Sequence, residues 1–276
     1  MELENKIKMI FESYKDKKVI NKVDIVNRPN KNEIIGIVDK LFRIIYPGYF
    51  YSLCDEKDMD YKINIDIQEV IYLLKREIYN SYRYCNVCDD LKDDELRKEV
   101  NIKVSKFIEH IPMIREYLET DVMATFDGDP AAKNYAEIIY AYPGIFAITI
   151  YRISHDLYKA KIPMIPRILS EYAHSITGID INPGAVIGKR FFIDHGTGIV
   201  IGETTQIGDN VKIYQGVTLG ALTTAGGQNL KGVKRHPTIG NNVVIYSNAS
   251  ILGGNTIIPD GVTVNGNSFI TKSIEK

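Results

Sequence analysis

Aliphatic residues recur every six positions through the C-terminal third of the chain, a period that neither an α-helix nor an alternating strand produces. Eleven such markers fall in three registers, the second shifted by two residues and the third separated by a long interruption. The markers are Ile181, Ile187, Ile193, Ile201, Ile207, Ile213, Leu219, Ile239, Ile245, Ile251 and Ile257. Glycine or asparagine often follows a marker, so each hexad predicts one short strand and one tight turn.

Three hexads of this kind close one triangular coil, and stacked coils bury an aliphatic column while pairing their backbones. An ordinary β-sandwich would instead show hairpin signals at irregular intervals. The pattern therefore predicts a parallel β-helix over residues 179–276, interrupted by an extruded loop at 220–238.

Residues 1–178 show a helical period instead, and we predict an α-helical N-terminal region there. The apolar positions that recur at helical spacing cover 34–45, 67–78 and 104–111. Two further helices fit 145–160 and 165–176, each preceded closely by a proline. We expect the charged residues 89–100 to form a solvated stretch.

The chain carries 34 basic and 35 acidic residues, a formal net charge of −1, so we expect neither nucleic acid nor an anionic membrane as a partner. Because there is no long apolar run and no signal-peptide pattern, we predict a cytoplasmic protein. The three cysteines, Cys54, Cys85 and Cys88, fit a reducing compartment. Cys85 and Cys88 have the spacing of half a zinc site without a second half, so we interpret them as structural and expect no bound metal.

Candidate functional residues lie where the hexad pattern is interrupted, because a β-helix alone is only a scaffold. The run Asp194-His195-Gly196-Thr197-Gly198 precedes the two-residue shift. His195 is a candidate general base, since an imidazole with a pKa of about 6.5 can accept and return a proton. Asp180 lies fifteen residues earlier. With about 18 residues per coil of three hexads we expect it on the neighbouring coil, where it either orients the imidazole or is an ordinary turn residue.

The second interruption is the extruded loop, which ends in Arg235-His236-Pro237. A guanidinium beside an imidazole is suited to hold a carboxylate. Glu203, between Gly202 and Thr204, fits either a solvated turn acid or a substrate contact.

At these residues the sequence resembles the serine acetyltransferase family of the hexapeptide-repeat acyltransferases. The matching segments are 129–132, 151–153, 178–185, 193–204, 217–220 and 235–237, and together they cover roughly residues 125–275. The most specific of them is the string DH-x-TG-I-V-x-GET at 194–204. The resemblance implies a left-handed β-helix and acetyl transfer from acetyl-CoA to the L-serine hydroxyl, giving O-acetylserine for cysteine biosynthesis.

The resemblance also implies roles for the matching residues, with His195 as the general base and Asp180 as its orienting carboxylate. The residues implied to bind serine are Asp129, Asp194, Glu203, Arg235 and His236. Asp129 and Asp194 would hold the ammonium group of serine, and Arg235 with His236 would hold its carboxylate. The positions implied to contact acetyl-CoA are Gly220, Ala221, Ser247 and Asn265.

The same resemblance implies a homotrimer, or a dimer of trimers joined through the helical region, and L-cysteine as a feedback inhibitor. The tail Phe269–Lys276 lacks the extension ending in isoleucine that many members insert into O-acetylserine sulfhydrylase, so we do not expect that complex. The sequence assigns no role to residues 1–120.

Three other classes remain open. An acetyltransferase for another small acceptor would not need both Asp129 and Arg235. A zinc-dependent carbonic anhydrase on the same scaffold would need three converging histidines, whereas only His195 and His236 lie in the β-helix. A catalytically silent scaffold would not explain acids and histidines at both interruptions.

Overall fold

The computed structural model describes residues 2–15, 19–21, 28–51, 56–85 and 91–274. Within these residues, helices precede a series of short strands. The helices are α1 (Glu2–Ser13), α2 (Lys31–Ile45), α3 (Glu56–Cys85), α4 (Asp93–Gly128), α5 (Tyr135–Ala141), α6 (Pro143–Lys159) and α7 (Ile165–Thr177). Cys54 and Cys88 lie outside the described residues, so the structural role assigned to the Cys85 and Cys88 pair stays a prediction.

Helix α4 begins at Asp93, so the charged stretch predicted over 89–100 is helical from that residue onward, and its charged residues from Asp93 to Lys98 are exposed as predicted. Leu96 and Val100 are buried, and with Val104 and Phe107 they recur at intervals of three or four residues. They therefore extend one apolar face of a longer helix, while the charged residues lie on its other side. Residues 89 and 90 lie outside the described residues.

The strands form three parallel sheets, which are the three faces of a β-helix. Face A contains β1 (Asp180–Ile181), β4 (Val200–Ile201), β7 (Thr218–Gly220), β10 (Ser250–Leu252) and β13 (Phe269–Ile270). Face B contains β2 (Val186–Ile187), β5 (Gln206–Ile207), β8 (Thr238–Ile239) and β11 (Ile257–Ile258). Face C contains β3 (Phe192–Asp194), β6 (Lys212–Tyr214), β9 (Val244–Ile245) and β12 (Thr263–Val264). The helical region followed by a left-handed parallel β-helix confirms the predicted fold class.

Each coil runs over faces A, B and C in that order, and the turns between them are named here the A–B, B–C and C–A corners. Ten of the eleven predicted markers are buried inside this prism. The markers of successive coils lie directly above one another. On face B, for example, Ile187 pairs with Ile207, and Ile207 pairs with Ile239.

Ile257 is the marker that the structure corrects, because its side chain is 50% exposed while that of Ile258 is fully buried. Ile258 pairs with Ile239 and holds the inward position. The A–B corner before it has one residue more than the corners after Ile181 and Ile201, and it passes the base of the extruded loop. A Cβ at Gly254 would lie 2.4 Å from the carbonyl oxygen of Lys234, so the chain passes there without a side chain.

The helices and the β-helix share one hydrophobic core, which runs from Ile34 to Val264. A buried ion pair joins them. The Arg152 guanidinium pairs with Asp121 at 2.8 Å and donates hydrogen bonds to the carbonyls of Ile187 and Gly188. Asp121 also accepts the N–H of Phe191, so α4 and α6 are fixed against the first coil. No helix of the described residues has the length and apolar character needed to cross a membrane.

Candidate active site

The C–A corner of the first coil carries His195 on a bulge. Ile193 and Ile199 are the inward residues on either side of it, whereas in the second coil only three residues separate Ile213 from Val217. The two extra residues account for the shift of register seen in the sequence. They leave the His195 side chain 73% exposed, with a backbone φ of +57°.

Two carboxylates lie beside this bulge. The Asp194 Oδ1 atom is 3.7 Å from His195 Nε2. Asp129, at the end of α4, accepts hydrogen bonds from the Tyr142 hydroxyl at 2.7 Å and from the Ala131 N–H at 2.9 Å. These two hydrogen bonds, of which the one from Tyr142 has the larger effect, hold the pKa of Asp129 below its usual value. The Asp129 side chain is therefore an anion at neutral pH.

Lys212, which the sequence analysis does not select, lies between these acids. Its Nζ donates to the carbonyl of Gly128 at 2.8 Å and is 3.5 Å from Asp194 Oδ2. The ammonium also lies over the rings of Phe192 and Tyr214. Lys212 thus offsets one of the two negative charges, and one further cation would neutralise the cluster.

Asp180 lies at the start of β1, one coil before β4, which is the strand that follows the His195 corner. The bulge lengthens this coil, so that Asp180 pairs with Val200, five residues beyond His195. Among the described residues, no hydrogen bond or ion pair joins Asp180 to His195. Its pairing with Val200 places Asp180 beside the C–A corner. Its role in orienting His195 stays a prediction.

Arg235 and Glu203 form an ion pair at the A–B corner, where the extruded loop returns to the β-helix. The second Glu203 oxygen accepts the Tyr158 hydroxyl at 3.0 Å. Burial alone would raise the pKa of Glu203, but the hydrogen bonds from Arg235 and Tyr158 outweigh it and hold that pKa below its usual value. The Arg235 guanidinium is thereby held by an ionised partner.

His236 is 7% exposed and lies against the corner of the second coil. A Cβ at Gly202 would lie 2.0 Å from the imidazole, so only glycine permits this packing. Thr204 donates its N–H to His236 Nδ1 at 3.0 Å, which leaves the ring proton on Nε2. Burial, followed by the charge of Arg235, lowers the pKa of His236 to about 4, so the ring is a neutral hydrogen-bond donor at neutral pH.

The candidate residues fall into two groups on two different corners. Those at or beside the C–A corner are Asp129, Asp180, Asp194, His195, Ser247 and Asn265. Those at the A–B corner are Glu203, Gly220, Ala221, Arg235 and His236. No hydrogen bond or ion pair between described residues connects the two groups within one chain.

Contacts missed by the sequence analysis come mostly from outside the hexads. Tyr142 and Tyr158 belong to the helical region and reach Asp129 and Glu203 through their hydroxyl groups. Thr204 accepts the backbone N–H groups of Arg235 and His236 on its hydroxyl oxygen. Thr204 lies inside the GET string and was available as a signal, whereas the two tyrosines carry no local signal that links them to the site.

A parallel β-helix of hexapeptide repeats that displays a histidine and paired acids at its corners places the chain in the class of hexapeptide-repeat acyltransferases. It is 51% identical over 253 residues to a plasmid-encoded serine acetyltransferase of Synechococcus elongatus, a match that covers 89% of this chain and 79% of that protein. The chain belongs to the serine acetyltransferase family.

Solved structures agree with this assignment. Serine acetyltransferase isoform 3 of Entamoeba histolytica, in complex with cysteine, is 33% identical and superposes with a TM-score of 0.74 over 97% of this chain and 87% of that one. Serine acetyltransferase 1 of the same organism, in complex with L-cysteine, is 36% identical, with a TM-score of 0.75 over 90% of this chain and 84% of that one. No model of a protein family matches the chain.

Proposed function

We propose that this protein transfers the acetyl group of acetyl-CoA to the hydroxyl group of L-serine, giving O-acetylserine and CoA. The observation that carries the proposal is that the β-helix has an exposed histidine and two acids at one corner, and an arginine and a neutral histidine at another. Such a set can move a proton and hold both charges of an amino acid.

His195 acts as the general base in this proposal. The imidazole accepts the serine hydroxyl proton as the serine oxygen attacks the thioester carbonyl carbon. The tetrahedral intermediate then collapses with cleavage of the C–S bond, and the imidazolium returns the proton to the CoA thiolate. Asp180, beside the same corner, orients the imidazole and stabilises its charged form.

Serine binding requires both corners. Asp129 and Asp194 hold the ammonium group, because with Lys212 they leave one negative charge unbalanced. Arg235 holds the carboxylate, and the Nε2–H of His236 donates a second hydrogen bond to it. Glu203 does not touch serine in this arrangement; it holds Arg235 in place through their ion pair.

A second copy of the chain completes this site. The C–A corner of one copy faces the A–B corner of the next, a contact between unlike surfaces that closes into a ring under rotational symmetry. We therefore propose a homotrimer with three sites between neighbouring copies. The acetyl-CoA positions support the same arrangement, because Ser247 and Asn265 lie at the C–A corner while Gly220 and Ala221 lie at the A–B corner.

L-cysteine is the inhibitor that the same pocket would bind. It carries the ammonium and carboxylate groups of serine and a thiol in place of the hydroxyl. The two Entamoeba enzymes described above were solved with cysteine bound. We propose that cysteine competes with serine at this site in the present protein.

Release of free thiol from acetyl-CoA in the presence of L-serine tests the activity. His195→Asn is the informative variant, because Asn248 and Asn267 adopt the same left-handed conformation at later C–A corners. We expect turnover to fall about 10² to 10⁴-fold while the thermal midpoint stays unchanged. A purified, folded wild-type protein that releases no thiol above background would end the proposal, and near-normal turnover in the variant would remove His195 from its role.

A further inference from the structure

Helix α6 presents a stripe of three residues, Tyr151, His155 and Tyr158, to the β-helix. Their spacing of four and three positions places them on one face of the helix. The Tyr151 hydroxyl donates to the carbonyl of Ala185 at 2.7 Å, and His155 Nδ1 lies 2.8 Å from the carbonyl of Pro183. These two contacts fix the helix to the backbone of the first A–B corner.

Tyr158 differs from the other two because its acceptor is a side chain in the second coil. Its hydroxyl donates to Glu203 Oε1 at 3.0 Å, while Glu203 Oε2 pairs with Arg235 Nη2. The other hydrogen bonds of the Arg235 guanidinium within the chain are long, at 3.3 Å to the Leu230 carbonyl and 3.4 Å to that of Val233. Glu203 is thus the main restraint on the guanidinium, and Tyr158 is a restraint on Glu203.

The first coil leaves room for this contact. A Cβ at Gly184 would lie 2.8 Å from Glu203 Cγ and 3.1 Å from Tyr158 Cζ. The carboxylate and the ring therefore meet across a residue that has no side chain. A carboxylate held at both oxygens cannot rotate about its terminal bond without breaking a hydrogen bond.

We propose that Tyr158 is a positioning residue for the serine carboxylate, acting through Glu203 to hold Arg235 in the orientation that binds it. The inference rests on the proposed function, since it concerns the same pocket. It assigns to the helical region a part in substrate affinity as well as in folding.

Tyr158→Phe tests the proposal, because it removes one hydroxyl and keeps the ring. We expect the KM for serine to rise about three- to tenfold, the loss of one charge-assisted hydrogen bond that acts indirectly, with kcat and the KM for acetyl-CoA within about twofold. The dissociation constant of L-serine, measured by calorimetry without acetyl-CoA, should rise by the same factor.

Tyr151→Phe is the matched control, since it removes a hydroxyl from the same helix face that bonds only to backbone. We expect a lower thermal midpoint and an unchanged KM for serine. In a Glu203→Gln background, Tyr158→Phe should change the KM by less than about twofold, because its effect passes through Glu203.

Active wild-type protein with an unchanged serine KM in Tyr158→Phe would overturn this inference and leave the proposed function intact. Independent, multiplicative effects of the Tyr158 and Glu203 substitutions would overturn it as well. Wild-type protein that neither acetylates nor binds serine would instead remove the proposed function, and this inference with it.

Discussion

His195 and His236 have opposite surroundings, and the difference separates their roles. His195 extends from a bulge into solvent, where an acceptor hydroxyl can reach it. His236 is buried against Gly202, with Nδ1 already occupied by the Thr204 N–H. The His236 imidazole is not protonated at neutral pH, and its Nε2–H points in a fixed direction. The first imidazole is therefore suited to proton transfer and the second to binding.

The lowered pKa of His236 predicts a dependence of stability on pH. Its pKa is about 4 in the folded chain, against an ordinary value of about 6.5 for an unfolded histidine. Between these values the unfolded chain binds the proton and the folded chain does not, so the free energy of unfolding falls as the pH falls from about 6.5 to about 4. His236→Gln lacks this contribution. Urea unfolding of both proteins between pH 7.5 and 4.5 should show the wild type losing stability relative to the variant, and parallel curves would contradict the buried neutral state.

Strands and helices differ in how far the sequence determines them. The six-residue period predicts the strands because each inward position must be aliphatic in every coil. It fails at β11, where Ile257 and Ile258 are the same residue type and the pattern does not distinguish them, whereas in the structure Ile258 pairs with Ile239 and is buried. In α4, the charged residues near its start conceal the apolar face formed by Leu96 and Val100.

The neighbouring isoleucines of β11 provide a direct test of the corrected register. Ile258→Ala removes a fully buried side chain and should cost about 2 to 5 kcal/mol of the free energy of unfolding. Ile257→Ala alters a half-exposed side chain and should stay within about 0.5 kcal/mol. Thermal or urea unfolding of the two variants measures the difference. The reverse order of stabilities would restore the register predicted from the sequence.

The candidate site itself could be predicted only in part. The residue types and their order, from Asp194-His195 to Arg235-His236, are visible in the sequence because they replace ordinary turn residues. Their distribution over two corners is not, since it depends on how a bulge and a loop shift the coils. The tyrosines that hold Asp129 and Glu203 come from the helical region, more than ten residues away in the chain, and only tertiary packing brings them there.

At the scale of the whole molecule, the candidate residues lie at two corners, and the proposed mechanism therefore needs more than one chain. One corner has the proposed base and the acids, and the other has the proposed carboxylate clamp. Each corner of a single chain lacks the groups that the other supplies. Catalysis by the proposed mechanism therefore depends on contact between copies.

Mixed assembly of two inactive variants tests this dependence. His195→Ala lacks the proposed base but retains Arg235, and Arg235→Ala retains the proposed base, so each variant alone should have little activity. Unfolding and refolding the two proteins together at equal amounts forms mixed rings, in which about a quarter of the interfaces join an intact C–A corner to an intact A–B corner. Thiol release should then rise to about a quarter of that of refolded wild type, whereas the same two proteins mixed without unfolding should stay inactive. If each chain held a complete site, every chain in the mixture would still lack one essential residue, and refolding together would restore nothing.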